Sequence, residues 1–199
     1  MLKVSGWAAT AAFFAVNGSG PPAASAQGVQ RRVTLDLNTE RDRQKVGGQC
    51  RVASGLVPGE PNEGLVAGRG PSPARLPDYD DSAWEICEHI GERRSSGLTF
   101  AWWRITVELP EEVDGVPLAG AQVYFETIAD NYGEVWVDGA LAPGAGIIGN
   151  NAPQRVRLSQ SAVPGTRYVI ACLAANGPLA APGGAVFLRY ATLAFEYVS

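Results

Sequence analysis

Three short stretches of the chain combine aromatic and charged side chains at two-residue spacing. The first contains Trp102 and Arg104, the second Glu126, and the third Glu134 and Trp136. In a β-strand, residues i and i+2 point to the same face. Such a face could bind a sugar, because a pyranose packs its C–H face on an aromatic plane while its hydroxyls hydrogen-bond to carboxylates and guanidinium groups.

A polar segment between the second and third stretches adds further candidates. Asp130, Asn131 and Tyr132 are predicted to lie in a loop at the strand ends, and Asn150 and Asn151 form a rival loop whose residues also suit simple turn formation. The predicted ligand-binding residues are Trp102, Arg104, Glu126, Asp130, Asn131, Tyr132, Glu134 and Trp136.

A structural role for the same residues is an open alternative. Large aromatic side chains are highly buried on average, so a long loop predicted over residues 55–77, or an oligomer interface, could cover them. Arg104 could equally pair with a carboxylate inside the fold.

Catalysis by these residues is disfavoured, and no catalytic residue is predicted. Glu126 with Glu134, or Asp130 with Glu134, could serve as acid and base, but glycoside hydrolysis needs two carboxyl groups at a defined separation. The chain has no Gly-x-Ser-x-Gly motif, and His89 is its only imidazole. Binding is therefore favoured over turnover.

No cofactor is predicted. Asp78, Asp80 and Asp81 offer hard oxygen ligands that would suit a structural calcium ion, but a turn before a strand is the favoured interpretation. One histidine and three widely spaced cysteines match no zinc motif.

The N-terminus has the pattern of an export signal. Lys3 precedes an apolar run over residues 4–16, and Ala24-Ser25-Ala26 offers small residues at a cleavable junction. The run is short for a membrane span, and no later segment comes close. We predict a signal peptide over residues 1–26, a periplasmic or secreted protein, and no membrane association after cleavage.

The three cysteines are relevant to the predicted export, because disulfides form outside the cytoplasm. Cys172 lies in the apolar stretch 168–173 and is predicted to be buried. An exported protein can hold a disulfide, and Cys50 with Cys87 is the favoured pair if one forms.

Charge excludes one class of partner. The formal net charge is −4 and the arginines are scattered. A protein that follows a phosphate backbone normally carries a basic stripe, so nucleic acid is not a predicted partner.

Period-two alternation predicts an all-β domain over residues 27–199, with no convincing amphipathic helix. Many short strands between Gly- and Pro-rich turns are typical of a sandwich or barrel. A tight turn is predicted at Asp138-Gly139. The predicted strands are 33–37, 84–87, 100–109, 121–127, 134–137, 154–158, 168–173 and 186–195.

The alternation also assigns faces within the strands. The predicted core residues are Trp103, Ile105, Val107, Leu109, Val123, Phe125, Val135 and Val137. The opposite faces of these strands carry Trp102, Arg104, Tyr124, Glu126, Glu134 and Trp136. Alternation leaves open whether the three strands belong to one sheet or to different sheets.

The order of several motifs resembles a known family. Asp80-Asp81-Ser82-Ala83-Trp84-Glu85, Ala101-Trp102-Trp103-Arg104, the strand 123–127 and the hairpin 130–139 are similar to the sugar-binding jelly-roll domain of family 2 glycoside hydrolases. Asp138 stands where that family's V-x-V-N-G hairpin usually has Asn.

A nearer resemblance is to the galactose-binding-like domain that accompanies gluconolactonase-type β-propellers. It rests on residues 149–155, 176–178 and 188–195, and extends over about 33–197. The resemblance implies a galactose-binding-like jelly-roll β-sandwich that binds carbohydrate as an accessory module. The alternatives are an interaction subunit for a separately encoded propeller enzyme and a small glycoside or lactone hydrolase.

Overall fold

A computed structural model describes residues 29–54, 72–91, 95–96, 100–142, 147–148, 152–175 and 185–198. The predicted signal peptide, residues 55–71 of the predicted loop, and Asn150 with Asn151 lie outside the described residues.

The described chain is built almost entirely of strands. They are β1 (Val29–Asp36), β2 (Gln49–Ser54), β3 (Glu85–Ile86), β4 (Ser95–Ser96), β5 (Phe100–Glu108), β6 (Glu112–Val113), β7 (Val116–Pro117), β8 (Gln122–Asp130), β9 (Tyr132–Val137), β10 (Ala140–Leu141), β11 (Ile147–Ile148), β12 (Gln154–Ser159), β13 (Arg167–Ala175) and β14 (Ala185–Val198). A short helix, α1 (Glu40–Lys45), and a 3-10 helix (Pro73–Arg75) complete the described elements.

Two antiparallel sheets form a β-sandwich, which confirms the predicted fold class. The first sheet has the order β1-β14-β8-β12, with β4 beside β14. The second has the order β10-β9-β13-β5-β2-β3, with β11 beside β9. Strands β6 and β7 form a separate hairpin. None of the helices in the described part of the chain is both long and apolar enough to cross a membrane.

The core lies between the inner faces of the two sheets, where apolar side chains from alternate positions meet. Trp103 and Ile105 enter from β5, Val123 and Phe125 from β8, and Val135 from β9, and all are fully buried. The remaining predicted members, Val107, Leu109 and the partly buried Val137, belong to the same core. The predicted phase of these three strands is therefore confirmed.

The described chain has one short α-helix, α1, in a region where no amphipathic helix was predicted. Thr39 caps this helix by accepting a hydrogen bond from the backbone N–H of Asp42. Its one buried side chain is Arg43, which donates 2.8 Å to the Leu37 carbonyl oxygen. Six residues without an apolar stripe give no helical periodicity to detect.

Other boundaries also differ from the prediction. Strand β2 was not predicted, and the 3-10 helix falls within the predicted loop 55–77. Strand β8 continues to Asp130 and β9 begins at Tyr132, so Asn131 alone joins them where a loop was expected. The turn at Asp138-Gly139 is confirmed: φ is 47° and 80° at these residues, as a tight two-residue hairpin requires.

Candidate functional site

The outer face of the second sheet, here called the aromatic face, brings together five of the eight predicted ligand-binding residues: Trp102, Arg104, Tyr132, Glu134 and Trp136. Leu173 on the central strand β13 lies opposite Trp102 on one side and Glu134 on the other. In the next row, Ala171 lies opposite both Arg104 and Trp136. Opposed residues share a face, so the pairs Trp102/Arg104 and Glu134/Trp136 flank β13, two strand spacings or about 9.6 Å apart.

The segment Ser72–Trp84, here called the cover segment, lies over one half of the aromatic face. Ala74 and Trp84 pack with Trp102 in a small apolar cluster outside the main core, and Tyr79 packs against it. Trp102 is consequently only 5% exposed. The alternative that the loop 55–77 covers the outward aromatic residues is thus confirmed for Trp102 only in part, because Ala74 belongs to that loop whereas Tyr79 and Trp84 follow it.

Arg104 anchors the cover segment to the sheet. Its guanidinium group donates to the Asp81 carboxylate (2.7 Å) and to the backbone carbonyl oxygens of Ala74, Leu76 (2.9 Å) and Tyr79 (3.4 Å). A buried guanidinium group must have its donors satisfied, and these acceptors do so. The structure thus has the arrangement that the sequence left as the alternative for Arg104, a pair with a carboxylate inside the fold.

The other half of the aromatic face is more open and is organised by Glu134. One carboxylate oxygen accepts a hydrogen bond from the Tyr132 hydroxyl (2.7 Å), and the other accepts one from the Trp136 indole N–H (2.8 Å). We call these three residues the β9 cluster. Tyr132 is 37% exposed, the largest exposed fraction of any aromatic side chain among the described residues.

Burial and the bond to Glu134 together raise the pKa of Tyr132 to about 12, with desolvation the larger cause. An ordinary tyrosine is already protonated at neutral pH, so the raised pKa extends the range over which the Tyr132 hydroxyl donates to the Glu134 carboxylate to more alkaline pH.

Arg75 links the cover segment to the β9 cluster. Its guanidinium group lies 5.4 Å from the Trp136 ring centroid, and it donates 3.0 Å to the carbonyl oxygen of Gly139 in the β9–β10 turn. Trp136 is half-buried as a result. Sequence reasoning did not identify Arg75 or Leu173, because the contact between residue 75 and β9 depends on the path of the cover segment.

Glu126 lies away from the aromatic face. It points outward from β8 in the first sheet, where it pairs with Arg32 (2.5 Å) and Arg155 (3.4 Å). Glu126 and Glu134 therefore face opposite sides of the sandwich, whose sheets alone are about 10 Å apart. The two carboxylates do not border a common space, so of the two arrangements that alternation left open, the structure has the one in which Glu126 and Glu134 lie in different sheets.

Asp130 and Asn131 lie at the end of the sandwich where the chain passes from the first sheet to the second. The Asp130 carboxylate is 3.8 Å from Arg189, and the Asn131 backbone N–H donates 3.1 Å to the Ala175 carbonyl oxygen. These residues adjoin Tyr132 along the chain but belong to the junction between the sheets.

The aspartates before β3 form a turn. Asp80 accepts a hydrogen bond from the Ser82 N–H (3.0 Å), which lowers its pKa, and Asp81 pairs with Arg104. Within the described ranges, no group of three or more His, Cys, Asp or Glu side chains could hold a metal ion.

The chain matches no family model and no curated protein. It is similar in structure to a Bacteroides uniformis beta-glucuronidase 2 (TM-score 0.55, 15% identity), over 83% of this chain and 18% of that one. It is also similar to a glycosyl hydrolase family 2 member from Bacteroides cellulosilyticus (TM-score 0.52, 11% identity), over 82% of this chain and 20% of that one. The chain thus spans about a fifth of these proteins' length, and the likeness establishes a shared β-sandwich fold.

Proposed function

We propose that this protein is a non-catalytic carbohydrate-binding or accessory module, with the β9 cluster at the centre of its binding surface. The observation that carries the proposal is the use of both Glu134 oxygens to hold two aromatic rings on one strand face.

The physical case rests on preorganisation. Tyr132 and Trp136 are held by hydrogen bonds before any ligand arrives, so binding would cost little additional side-chain entropy. An exposed aromatic ring offers the apolar face of a pyranose a stacking surface, with polar groups beside it for the hydroxyls. Leu173, opposite Glu134, extends the apolar surface toward β5.

The carboxylates support binding over catalysis. Both oxygens of Glu134 already accept hydrogen bonds, and its predicted partner Glu126 lies on the other sheet. The second predicted partner, Asp130, is turned toward Arg189 at the sheet junction. A glycosidase would need two carboxyl groups converging on one substrate.

The shared fold adds weight by analogy only. The similar solved structures are described as beta-glucuronidases and family 2 glycosyl hydrolases, and this chain matches a part of them. Export, with a signal peptide over residues 1–26, belongs to the same proposal, as does a sugar as the partner. A propeller enzyme as partner stays a prediction from the sequence resemblance.

Binding to a glycan array that includes glucuronides, followed by titration calorimetry, tests the proposal. Tyr132→Ala should weaken binding about fivefold or more, since ring stacking contributes on the order of 1 kcal/mol. Tyr132→Phe keeps the ring but loses the bond to Glu134, so a smaller loss is expected.

Tyr124→Ala is the matched control, because Tyr124 is a half-buried tyrosine on the outer face of the first sheet. Its glycan affinity should equal that of the wild type. The proposal is wrong if no glycan binds, or if Tyr132→Ala binds as tightly as the wild-type protein.

A further inference from the structure

Three thiols lie in the sandwich core and take no part in the proposed binding surface. Cys50 on β2, Cys87 after β3 and Cys172 on β13 are all buried, and none is joined to another in the structure. Any chemistry between them is therefore decided by their relative positions.

Cys50 and Cys87 are directly opposed across neighbouring antiparallel strands. Arg51 lies opposite Ile86, so the next position in the register sets Cys50 against Cys87, and the Cys87 N–H donates 2.8 Å to the Cys50 carbonyl oxygen. The Cα atoms of such a pair are about 5.5 Å apart, within the range that a disulfide spans. Both side chains enter the core.

Cys172 has no comparable partner. It lies opposite Trp103 on β5, and Trp103 in turn lies opposite Val52 on β2. Strands β13 and β2 are therefore two spacings apart, about 9.6 Å, which exceeds the reach of a disulfide between Cys172 and Cys50.

We infer that Cys50 and Cys87 form a disulfide when the chain folds in the presence of a small-molecule disulfide oxidant. One cysteine thiolate attacks a sulfur of glutathione disulfide, which gives a mixed disulfide and releases one glutathione thiolate. The second cysteine thiolate then attacks the protein sulfur of the mixed disulfide and releases the second glutathione thiolate. The two cysteines lose two electrons and two protons, and one glutathione disulfide becomes two glutathione molecules.

Burial dictates when this reaction takes place. Desolvation raises the pKa of the Cys50 thiol well above its ordinary value, so the folded protein holds almost none of the reactive thiolate. The bond is therefore made while the strands are still exposed, and it exchanges slowly once the core has closed.

The bond would fasten the cover segment covalently to the second sheet. The loop that it closes runs from Cys50 to Cys87 and contains the whole of Ser72–Trp84. Closing a loop of this length restricts the unfolded chain, and the midpoint of thermal unfolding should rise by roughly 10 °C. The inference does not depend on glycan binding.

The test is refolding of the full chain from denaturant, with glutathione disulfide or with dithiothreitol, followed by alkylation under denaturing conditions. Oxidative refolding should leave one alkylated cysteine, and peptide mapping should identify it as Cys172 with Cys50 and Cys87 cross-linked. Three alkylated cysteines, or a cross-link that includes Cys172, would overturn the inference.

Variants separate the bond from other effects of oxidation. Cys172→Ala should form the same cross-link and keep the thermal shift. The Cys50→Ala/Cys87→Ala protein should unfold at one temperature in both buffers. Glutathione disulfide added to the folded, reduced wild type should form the cross-link at least about tenfold more slowly than refolding does; an equal rate would contradict the proposed timing.

Discussion

The two outer faces of the sandwich carry similar residue types, but the charged residues are exposed to solvent on one face and covered by protein on the other. On the first sheet, one charged residue from each of four strands joins a network: Arg32 contacts Glu126 (2.5 Å) and Glu196 (3.3 Å), and Arg155 contacts the same two carboxylates (3.4 and 2.6 Å). On the aromatic face, Arg104 is buried beneath the cover segment.

The difference shows that an outward side chain is not the same as an exposed one. The side chains of Arg32 and Arg155 are 40% and 42% exposed, so water still solvates them. Arg104 lies on an equally outward position of its strand, but backbone carbonyl oxygens replace the water. The polar groups of the two faces should therefore contribute very different amounts to stability.

The largest expected contrast is between the arginines of the two faces. Arg104→Met should lower the free energy of unfolding by about 3 kcal/mol, because the carbonyl oxygens of Ala74 and Leu76 lose their buried donor. Arg155→Met should cost about 1 kcal/mol or less, as expected for an exposed ion pair. Urea denaturation measured in parallel on both variants checks the comparison.

Fluorescence adds a structural check on Arg104→Met. If the cover segment loosens, Trp84 and Trp102 should become more accessible to a soluble quencher such as iodide. Equal losses of stability in the two variants would show that an arginine covered by protein and an arginine solvated by water contribute equally to stability here.

A second contrast concerns the aromatic residues. Trp102→Ala should cost about 3 kcal/mol, because its packing partners belong to a small cluster that can partly collapse. Trp103→Ala removes a side chain from the main core and should cost about 5 kcal/mol. Tyr124→Ala, on the charged face, should cost about 1 kcal/mol.

Thermal and urea unfolding of these three variants give the order directly. A larger loss for Trp102 than for Trp103 would mean that the small outer cluster matters more to the fold than the main core does.

Alternation along single strands made the core predictable. The positions of Trp103, Val123, Phe125 and Val135 follow from the period of two, because a shift of one residue would place polar side chains in the core. The turn at Asp138-Gly139 was equally predictable, because Asp-Gly suits a two-residue hairpin turn. Both residues adopt positive φ in the structure, as such a turn requires.

Strand order was not predictable in the same way. Glu126 and Glu134 are close in sequence and both point outward, yet β8 pairs with β14 and β12 whereas β9 pairs with β13. The cover segment posed the same difficulty, because its path is determined by contacts with Arg104 on a strand far along the chain. Long-range pairing of this kind leaves no local periodicity.

The last prediction concerns the network on the first sheet, where the effects are smallest. Each arginine contacts both carboxylates, so the loss of one leaves the other to compensate. Arg32→Met and Arg155→Met should each cost less than about 1 kcal/mol, but the double variant should cost about 0.5–1 kcal/mol more than their sum. It leaves two neighbouring carboxylates, one of them the buried Glu196, without either arginine.

Salt should act in opposite directions on the wild-type protein and on the double variant. Raising ionic strength from about 0.1 M to 1 M shortens the Debye length from about 10 Å to 3 Å and screens exposed charges. The network in the wild-type protein should then contribute less stability, whereas the double variant should be relieved of part of its carboxylate repulsion. The coupling energy from urea denaturation should therefore shrink at high salt. A coupling energy that is zero at low salt, or that does not change with salt, would show that the four residues act as independent surface charges. The two outer faces would then differ only in that the cover segment lies over one of them.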